Sequence, residues 1–509
     1  MKLARLLNSV GHLARQRPKD VAIHTDSVVW TYHDLWRSSE EASARLTSMD
    51  LPAQARTAVL ATRSAETVAL LLALGMRGHT PLIVSPTLGS MAKTAVFQSA
   101  RVACELVAGN VGPGGSFGVE LTSRYTASGP EPETTDTDAP LLLTTSGTTG
   151  VPKAVELSAD GVERFFDWSQ EYFGIGTGIR VLSYAPLNFD LSLLEVWAAL
   201  DGGATVVLVD QDRVADGDYL RRTLQETTPD VVQAVPMFFS LLAQGGEKAE
   251  TSTGTFPARH VILTGDAASQ ELRRGLAGIF PDALFHNVYG CTETNDSLIY
   301  TCTPGEVGER GRLPIGTPIQ GVGIRIVDDA GNNLEGAGQG ELWACTPFQA
   351  HGYTDPELTR KAFVECEGPQ GVQRFYRSGD RVERDENGTI HLIGRTDLVV
   401  KVRGVRTNLQ DVEHALALHP LVLNAVVVPV GDITAGSVLH AIIQIPGNAS
   451  ISSLDIRKHC AEHLPYTAIP SRYSISSNPL PLTSTGKPDR HRLSARLLKA
   501  EGNLHEFRK

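Results

Sequence analysis

The sequence predicts an α/β protein with a small α+β domain: a large N-terminal domain of αβ-layered sheets, a β-rich subdomain, and a small C-terminal domain. Three observations carry this reading. A chain of 509 residues is too long for one core. Apolar strand-like runs alternate with helix-like stretches through much of the first 300 residues, the pattern of largely parallel sheets. Near residue 312 that pattern gives way to short β-type runs punctuated by glycine.

The elements follow in order. MKLARLLNSVGHLARQRP sets Leu3, Leu6, Leu7, Val10 and Leu13 at helical spacing with charges between them. With no continuous apolar core and no cleavage site, it reads as an amphipathic surface helix rather than a targeting signal. It can pack on this chain or on another one. TAVLAT (57–62), TPLIVSP (80–86), ATVVLVD (204–210) and HVILTGD (260–266) read as strands. Residues 107–137, rich in Gly, Ser, Thr, Pro and acids, read as a mobile surface connection. VGIRIVDDAGNNL, GELWACT and GTIHLIG, with their Asp/Asn-Gly turns, place a hairpin-rich subdomain at about 312–393. The N-terminal core is expected over 1–396. The small domain is expected over 397–509, with strands LVLNAVVVPVG and LHAIIQIPG and a helix at 452–464.

Composition narrows the class. The chain is 41% hydrophobic and 20% charged, and no run approaches the ~20 apolar residues of a membrane span. A net charge of -11, with no basic tract interleaved with aromatics, disfavours nucleic acid as a partner. The six cysteines form no CxxC pair, which fits a reducing cytoplasm better than a disulfide framework or zinc site.

The most informative stretch is LLLTTSGTTGVPK, Leu141 to Lys153. A short apolar run empties into a loop with five hydroxyls, including Thr145, Ser146, Thr148 and Thr149. Gly147 and Gly150 let backbone amides approach a ligand, and Lys153 adds a compact cation. The spacing is not that of the GxxxxGK[ST] loop. Three further strings join it: NVYGCTETND (287–296), YRSGDR (376–381) with GRTDLVVKVRG (394–404), and PLTSTGKPDR (481–490).

Together these motifs, in this order, resemble those of the adenylate-forming superfamily of acyl-CoA synthetases, luciferases and nonribosomal peptide adenylation domains. The resemblance covers nearly the whole chain. It implies ATP and Mg²⁺ as cofactors, with Thr148 and Lys153 on the phosphates and Asn287, Tyr289 and Gly290 beside adenine. Thr292 would touch phosphate and Glu293 would hold Mg²⁺, which takes few hard oxygen ligands. Asp380 and Arg395 would hold the nucleotide, with Ser378 standing where threonine is usual. Asp397 would be the hinge, Lys401 to Gly404 a loop for the second half-reaction, and Lys487 the catalytic lysine.

The same resemblance points to a substrate. Asp190, in APLNFDLSLLEVWAALDGGATVVL, falls where amino-acid adenylation domains place the partner of the substrate ammonium. It also stands where it would cap a helix starting near Leu191, and both roles can hold. The rest of the pocket would be Leu191, Leu194, Met237, Ile262, Thr264, Gly265, Val288, Asp296 and Ser297. These mostly apolar, medium-sized residues favour a small or compact aliphatic amino acid such as proline or alanine. Asp296 fits that picture poorly. A second acid could meet a basic or hydroxylated side chain, or the amino group of a β-amino acid, or point away. With no GGxS attachment site and no HHxxxDG string, the acceptor would be the phosphopantetheine thiol of a separate carrier protein, with Arg403, Arg406 and Arg472 as docking residues. The expected activity is that of an amino acid–carrier protein ligase in the cytoplasm. The alternatives are an acyl- or aryl-CoA synthetase, which has no need of Asp190, a non-catalytic nucleotide-binding relative, and a luciferase-type oxygenase.

Overall fold

The structure, a computed structural model, describes residues 3–88, 90–109, 118–125, 138–145, 152–244, 254–309, 311–368, 371–395, 398–402, 405–432, 436–464, 468–483 and 487–497. Its contacts divide the chain into two units, Met1–Ile324 with Ala344–Arg377, and Arg325–Trp343 with Ser378–Lys509.

Two sheets build the first unit. Among the described residues one has nine strands. Its parallel centre runs through Leu284–Cys291, His260–Thr264, Val231–Ala234, Arg180–Ser183, Thr205–Leu208 and Val21–His24. The other has seven, centred on Arg56–Leu60, Thr80–Val84 and Leu142–Thr145. The predicted runs at 57–62, 80–86, 204–210 and 260–266 fall in Arg56–Leu60, Thr80–Val84, Thr205–Leu208 and His260–Thr264, and their lack of period-2 alternation follows from burial on both faces. Helix Ala65–Met76 is apolar all round because it too is buried along most of its length, sharing one core with Ile23, Val206, Ile83 and Leu143 of the two sheets. Ser64 caps it, its side chain accepting from Thr67 N.

The N-terminal stretch forms helix Ala4–Gln16, which buries Leu6, Leu7 and Val10 against this same chain. Arg5 and Ser9 tie it to Asp201 at 2.9 Å each. Among the described residues no helix is long and apolar enough to cross a membrane, and none of the six cysteines is in a disulfide.

The expected loop at 107–137 is partly strand. Gly118–Arg124 pairs antiparallel with Cys104–Gly109 at the sheet edge. Its inward residues Val119 and Leu121 alternate with Glu120 and Thr122, a half-polar pattern that composition alone reads as loop. Residues 110–117 and 126–137 lie outside the described residues.

In the second unit, the expected turns are closed by aspartates. Asp328 accepts from Ala330 N at 2.9 Å and Asn332 N at 2.8 Å, and Asp385 accepts from Asn387 N and Thr389 N, both at 2.9 Å. A three-stranded sheet, Asn424–Asp432, Gly436–Gln444 and Arg472–Ser476, packs helices Leu409–Ala417 and Ser453–His463 through Val412, Leu416, Val427, Leu439, Ile456 and Cys460.

One buried cation, Arg273, fixes helix Gln270–Ile279 of the first unit. Arg273 is fully buried and donates to backbone carbonyls that include Ala268 O at 3.2 Å, Gly311 O at 2.7 Å, and Val307 O. Replacing Arg273 by Ala orphans those acceptors at ~1–3 kcal/mol each. Arg273→Ala should lower the urea midpoint of the first unit by the equivalent of at least ~3 kcal/mol. An unchanged midpoint would show the carbonyls find other partners.

Candidate functional site

In the first unit the site gathers at the ends of the central strands. Strands Leu142–Thr145 and Lys153–Glu156 pair antiparallel, with Thr145 opposite Lys153, so both ends of the hydroxyl loop are fixed in register. Ser146, Gly147, Thr148, Thr149 and Gly150 lie outside the described residues. Lys153 Nζ sits 5.0 Å from the centroid of the Tyr353 ring, a cation–π contact. Tyr353 Oη in turn donates to Glu293 Oε1 at 2.5 Å and lies 3.3 Å from Tyr376 Oη. Burial, then the Glu293 charge, drive both phenols far above their ordinary range. They therefore stay protonated, and Tyr353 remains a donor to the buried carboxylate.

Glu293 is delivered by a tight reversal between strands Leu284–Cys291 and Asn295–Cys302. A Cβ on Gly290 would meet Asn295 O at 2.2 Å, so the close approach of the two strands requires glycine there. Asn295 turns the chain in the left-handed region, φ 56°, and its Oδ1 accepts from Asp296 N at 2.9 Å. Just before the turn, Asn287 Nδ2 donates to Pro314 O at 2.7 Å, while Tyr289 remains part exposed.

The turn also reaches across to the segment after strand Arg180–Ser183. Thr292 Oγ1 donates to Asp190 Oδ2 at 2.6 Å, joining residues 102 positions apart. The backbone carbonyl of Asp190 accepts from Leu193 N at 2.9 Å, where a π-helical turn, Leu193–Ala198, begins. Such turns are frequent at functional sites.

The other predicted pocket residues divide. Thr264, at the end of its strand, is the register partner of Val288 within the neighbouring parallel strand, with Gly265 following Thr264 at φ 80°. Leu191 is buried, and Met237 is part buried against the cluster that holds Tyr184 and Phe238. Leu194, Ile262 and Val288 belong to the main hydrophobic core, and Ser297 Oγ is spent on Asn295 O at 3.1 Å. Asp296 is part buried. Burial and then the charge on Asp190 push its carboxyl up to about 7.

A second buried acid escaped the sequence reading. Glu195 is fully buried, accepting from Ala185 N at 3.0 Å and Gln233 Nε2 at 3.4 Å. Gln233 Nε2 also donates to Leu191 O at 3.1 Å, so the pair brackets the segment that bears Asp190. Burial pushes Glu195 up to about 8, against the opposing pull of its hydrogen bonds and of Arg63. The only signal in the sequence was one acid inside the apolar run LLEVWAAL.

In the second unit, Asp380 and Arg395 are cross-strand partners, with Arg395 Nη1 donating to Asp380 Oδ1 at 3.0 Å. Ser378 Oγ accepts from Asp380 N at 3.0 Å and donates to Leu342 O at 2.6 Å, so the hydroxyl that replaces threonine's is fully used. Lys487 is exposed on a loop whose base is closed by Thr483 N→Lys487 O at 2.7 Å and Asp489 N→Pro481 O at 2.7 Å. Arg490, three residues on, donates to Glu413 Oε2 at 2.9 Å and to Val427 O. Asp397, Arg403 and Gly404 lie outside the described residues, as do the side chains of Lys401 and Arg406. Arg472 opens the last strand of the small sheet, opposite His440.

Comparison with known proteins adds the relatives. The family model described as AMP-binding enzyme matches residues 11–354, and that described as AMP-binding enzyme C-terminal domain matches residues 411–487. An L-proline–L-prolyl-carrier protein ligase of Streptomyces coelicolor is 30% identical over 364 residues, 71% of this chain and 67% of its own. A D-alanine–D-alanyl carrier protein ligase of Bacillus cereus is 31% identical over 360 residues, 69% of each. The structure of Klebsiella oxytoca NpsA in complex with 3-hydroxyanthranilyl-AMSN is 25% identical, with a TM-score of 0.76, covering 97% of this chain and 99% of that one.

The raised Asp296 carboxyl makes a prediction about pH. An acid whose proton affinity is higher in the folded state favours folding at low pH, and that contribution is lost as pH rises from the ordinary value of 3.8 through about 7. The melting temperature of the ligand-free protein should therefore fall, relative to Asp296→Asn, across that interval. Parallel curves for the two proteins would refute the assignment.

Proposed function

The chain belongs to the AMP-binding enzyme family, and from that premise we infer that it is an ATP-dependent amino acid–carrier protein ligase. The observation that carries the amino-acid reading is Asp190, held by Thr292 at 2.6 Å on the turn that also bears Glu293. A carboxylate there answers the need of an ammonium brought into a partly dry pocket, which otherwise loses its hydration uncompensated. Leu191, Met237, Thr264 and Val288 are of the size and mostly apolar character that suit a small or compact aliphatic side chain. The prolyl and D-alanyl carrier protein ligases among its relatives support the same class.

In the first step a carboxylate oxygen of the amino acid attacks the α-phosphorus of ATP. The bond to the bridging oxygen breaks, and pyrophosphate leaves with the electron pair, giving the aminoacyl adenylate. In the second, a phosphopantetheine thiolate attacks the acyl carbon, the acyl–oxygen bond breaks, and AMP departs. Neither step asks the protein for covalent chemistry, so its work is positioning and neutralisation of charge. Lys153 and Lys487 supply the cations, Asp380 and Arg395 hold the nucleotide, and Asp190 orients the substrate's amino group.

A magnesium ion fits the acid present. Glu293 is buried, its Oε1 is fixed by Tyr353, and its Oε2 offers a second hard oxygen of the kind Mg²⁺ takes beside phosphates. When bound, the ion supplies positive charge to the phosphate oxygens. Tyr353 would keep Glu293 oriented for it, and Lys153 is braced on the same ring.

Two measurements test this reading. ATP–pyrophosphate exchange should respond to one compact aliphatic amino acid, and Asp190→Ala should raise the KM for that acid by ~30-fold or more, the cost of stranding a desolvated charge, with the KM for ATP little changed. Exchange driven only by unaminated acids would favour a CoA synthetase instead. Lys487→Ala should cut the exchange rate by ~100-fold or more, as loss of a transition-state donor does. An undiminished rate would remove Lys487 from the chemistry.

A further inference from the structure

Helix Ser453–His463 carries a donor cluster in the second unit that adenylation does not use. His459, Glu462 and His463 occupy i, i+3 and i+4, the spacing that brings side chains together on one helix face. One potential ligand atom from each lies within 4.8 Å of those of the other two. The rings of His459 and His463 have centroids 4.6 Å apart. Glu462 and His463 are exposed, while His459 is part buried.

The decisive detail is the tautomer of His459. Its Nε2 lies 2.9 Å from Ala415 O, at the end of helix Leu409–Ala417. A carbonyl oxygen only accepts, so Nε2 carries a hydrogen, and in the neutral ring Nδ1 is the nitrogen left with a lone pair. Ligating histidines ordinarily donate their other ring N–H to such a carbonyl, which fixes ring orientation and raises ligand basicity. A neighbouring His419 ring packs edge-on against His459, centroids 5.0 Å apart at 84°. Its Nδ1 accepts from Leu421 N at 3.2 Å, so the neutral ring holds its hydrogen on Nε2. His419 is thus a wall of the cluster and not one of its ligands.

We propose that His459, Glu462 and His463 form a binding site for a divalent transition-metal ion of the zinc class. Two imidazoles and one carboxylate suit zinc, where an all-oxygen set would suit magnesium or calcium. Three protein ligands leave a fourth tetrahedral position for water. The bound ion would fasten the last turn of the helix, which ends at His463, and tie it through His459 to the Ala415 carbonyl. It is separate from the magnesium assigned to Glu293 and independent of the adenylation reading.

The test uses the full-length protein without an affinity tag. Zn²⁺ is titrated against a chromophoric chelator, and the melting temperature is followed in parallel. One equivalent should bind and raise the melting temperature, with excess Mg²⁺ failing to compete. His463→Ala and Glu462→Gln, both at exposed positions, should each weaken binding by at least ~10-fold, and His459→Ala/His463→Ala should abolish it. ATP–pyrophosphate exchange in His463→Ala should stay at the parent rate. The proposal is overturned if the parent binds no more zinc than the double variant, or if neither single substitution changes the affinity.

Discussion

The hydrogen bond from Thr292 to Asp190 is the constraint on which the first unit's site depends. It joins a turn between two strands to a segment that leaves the sheet elsewhere, and it holds only if both arrive in register. The turn does so because Gly290 lets two strands approach more closely than any Cβ allows and because Asn295 accepts a left-handed backbone. The segment does so because Glu195 and Gln233 fasten it from below. A substrate ammonium at Asp190 and a phosphate near Thr292 would then be read by neighbouring atoms. Recognition of the amino acid and of the nucleotide would be coupled through a single hydroxyl.

Acids are buried here at a cost, and each is met differently. Glu293 receives a phenol that burial keeps protonated. Glu195 receives a backbone amide and a primary amide, with Arg63 nearby. Asp296 has the charge of Asp190 beside it and is driven toward its neutral form. A neutral Asp296 can donate as well as accept, so near its raised pKa it sets less than a second full charge beside Asp190.

Much of the fold was legible because the signals were local. Runs such as TPLIVSP and HVILTGD are buried on both faces and say so in their composition, and Leu6, Leu7 and Val10 announce the first helix by their spacing. The motifs were legible because they combine unusual residues at fixed distances. The edge strand Gly118–Arg124 was not, since its outward half is as polar as a loop. Nor were Tyr353, Gln233 and Glu413, whose importance lies wholly in partners 60, 38 and 77 residues away. No periodicity records a contact of that kind.

The clamp beneath Lys487 has a mechanical consequence. Arg490 binds both the helix, through Glu413, and the sheet, through the carbonyl of Val427, while Glu413 itself accepts from Val427 N at 2.7 Å. For the role proposed for Lys487, a lysine on a slack arm would have to search for its target each turnover and surrender that freedom every time. Arg490, three residues from Lys487, is braced to both helix and sheet, so less of that freedom remains to be surrendered at this end of the loop. Heat or substitution that softens the core around Val412, Val427 and Ile456 would then blur the aim of Lys487 well before the chain unfolds.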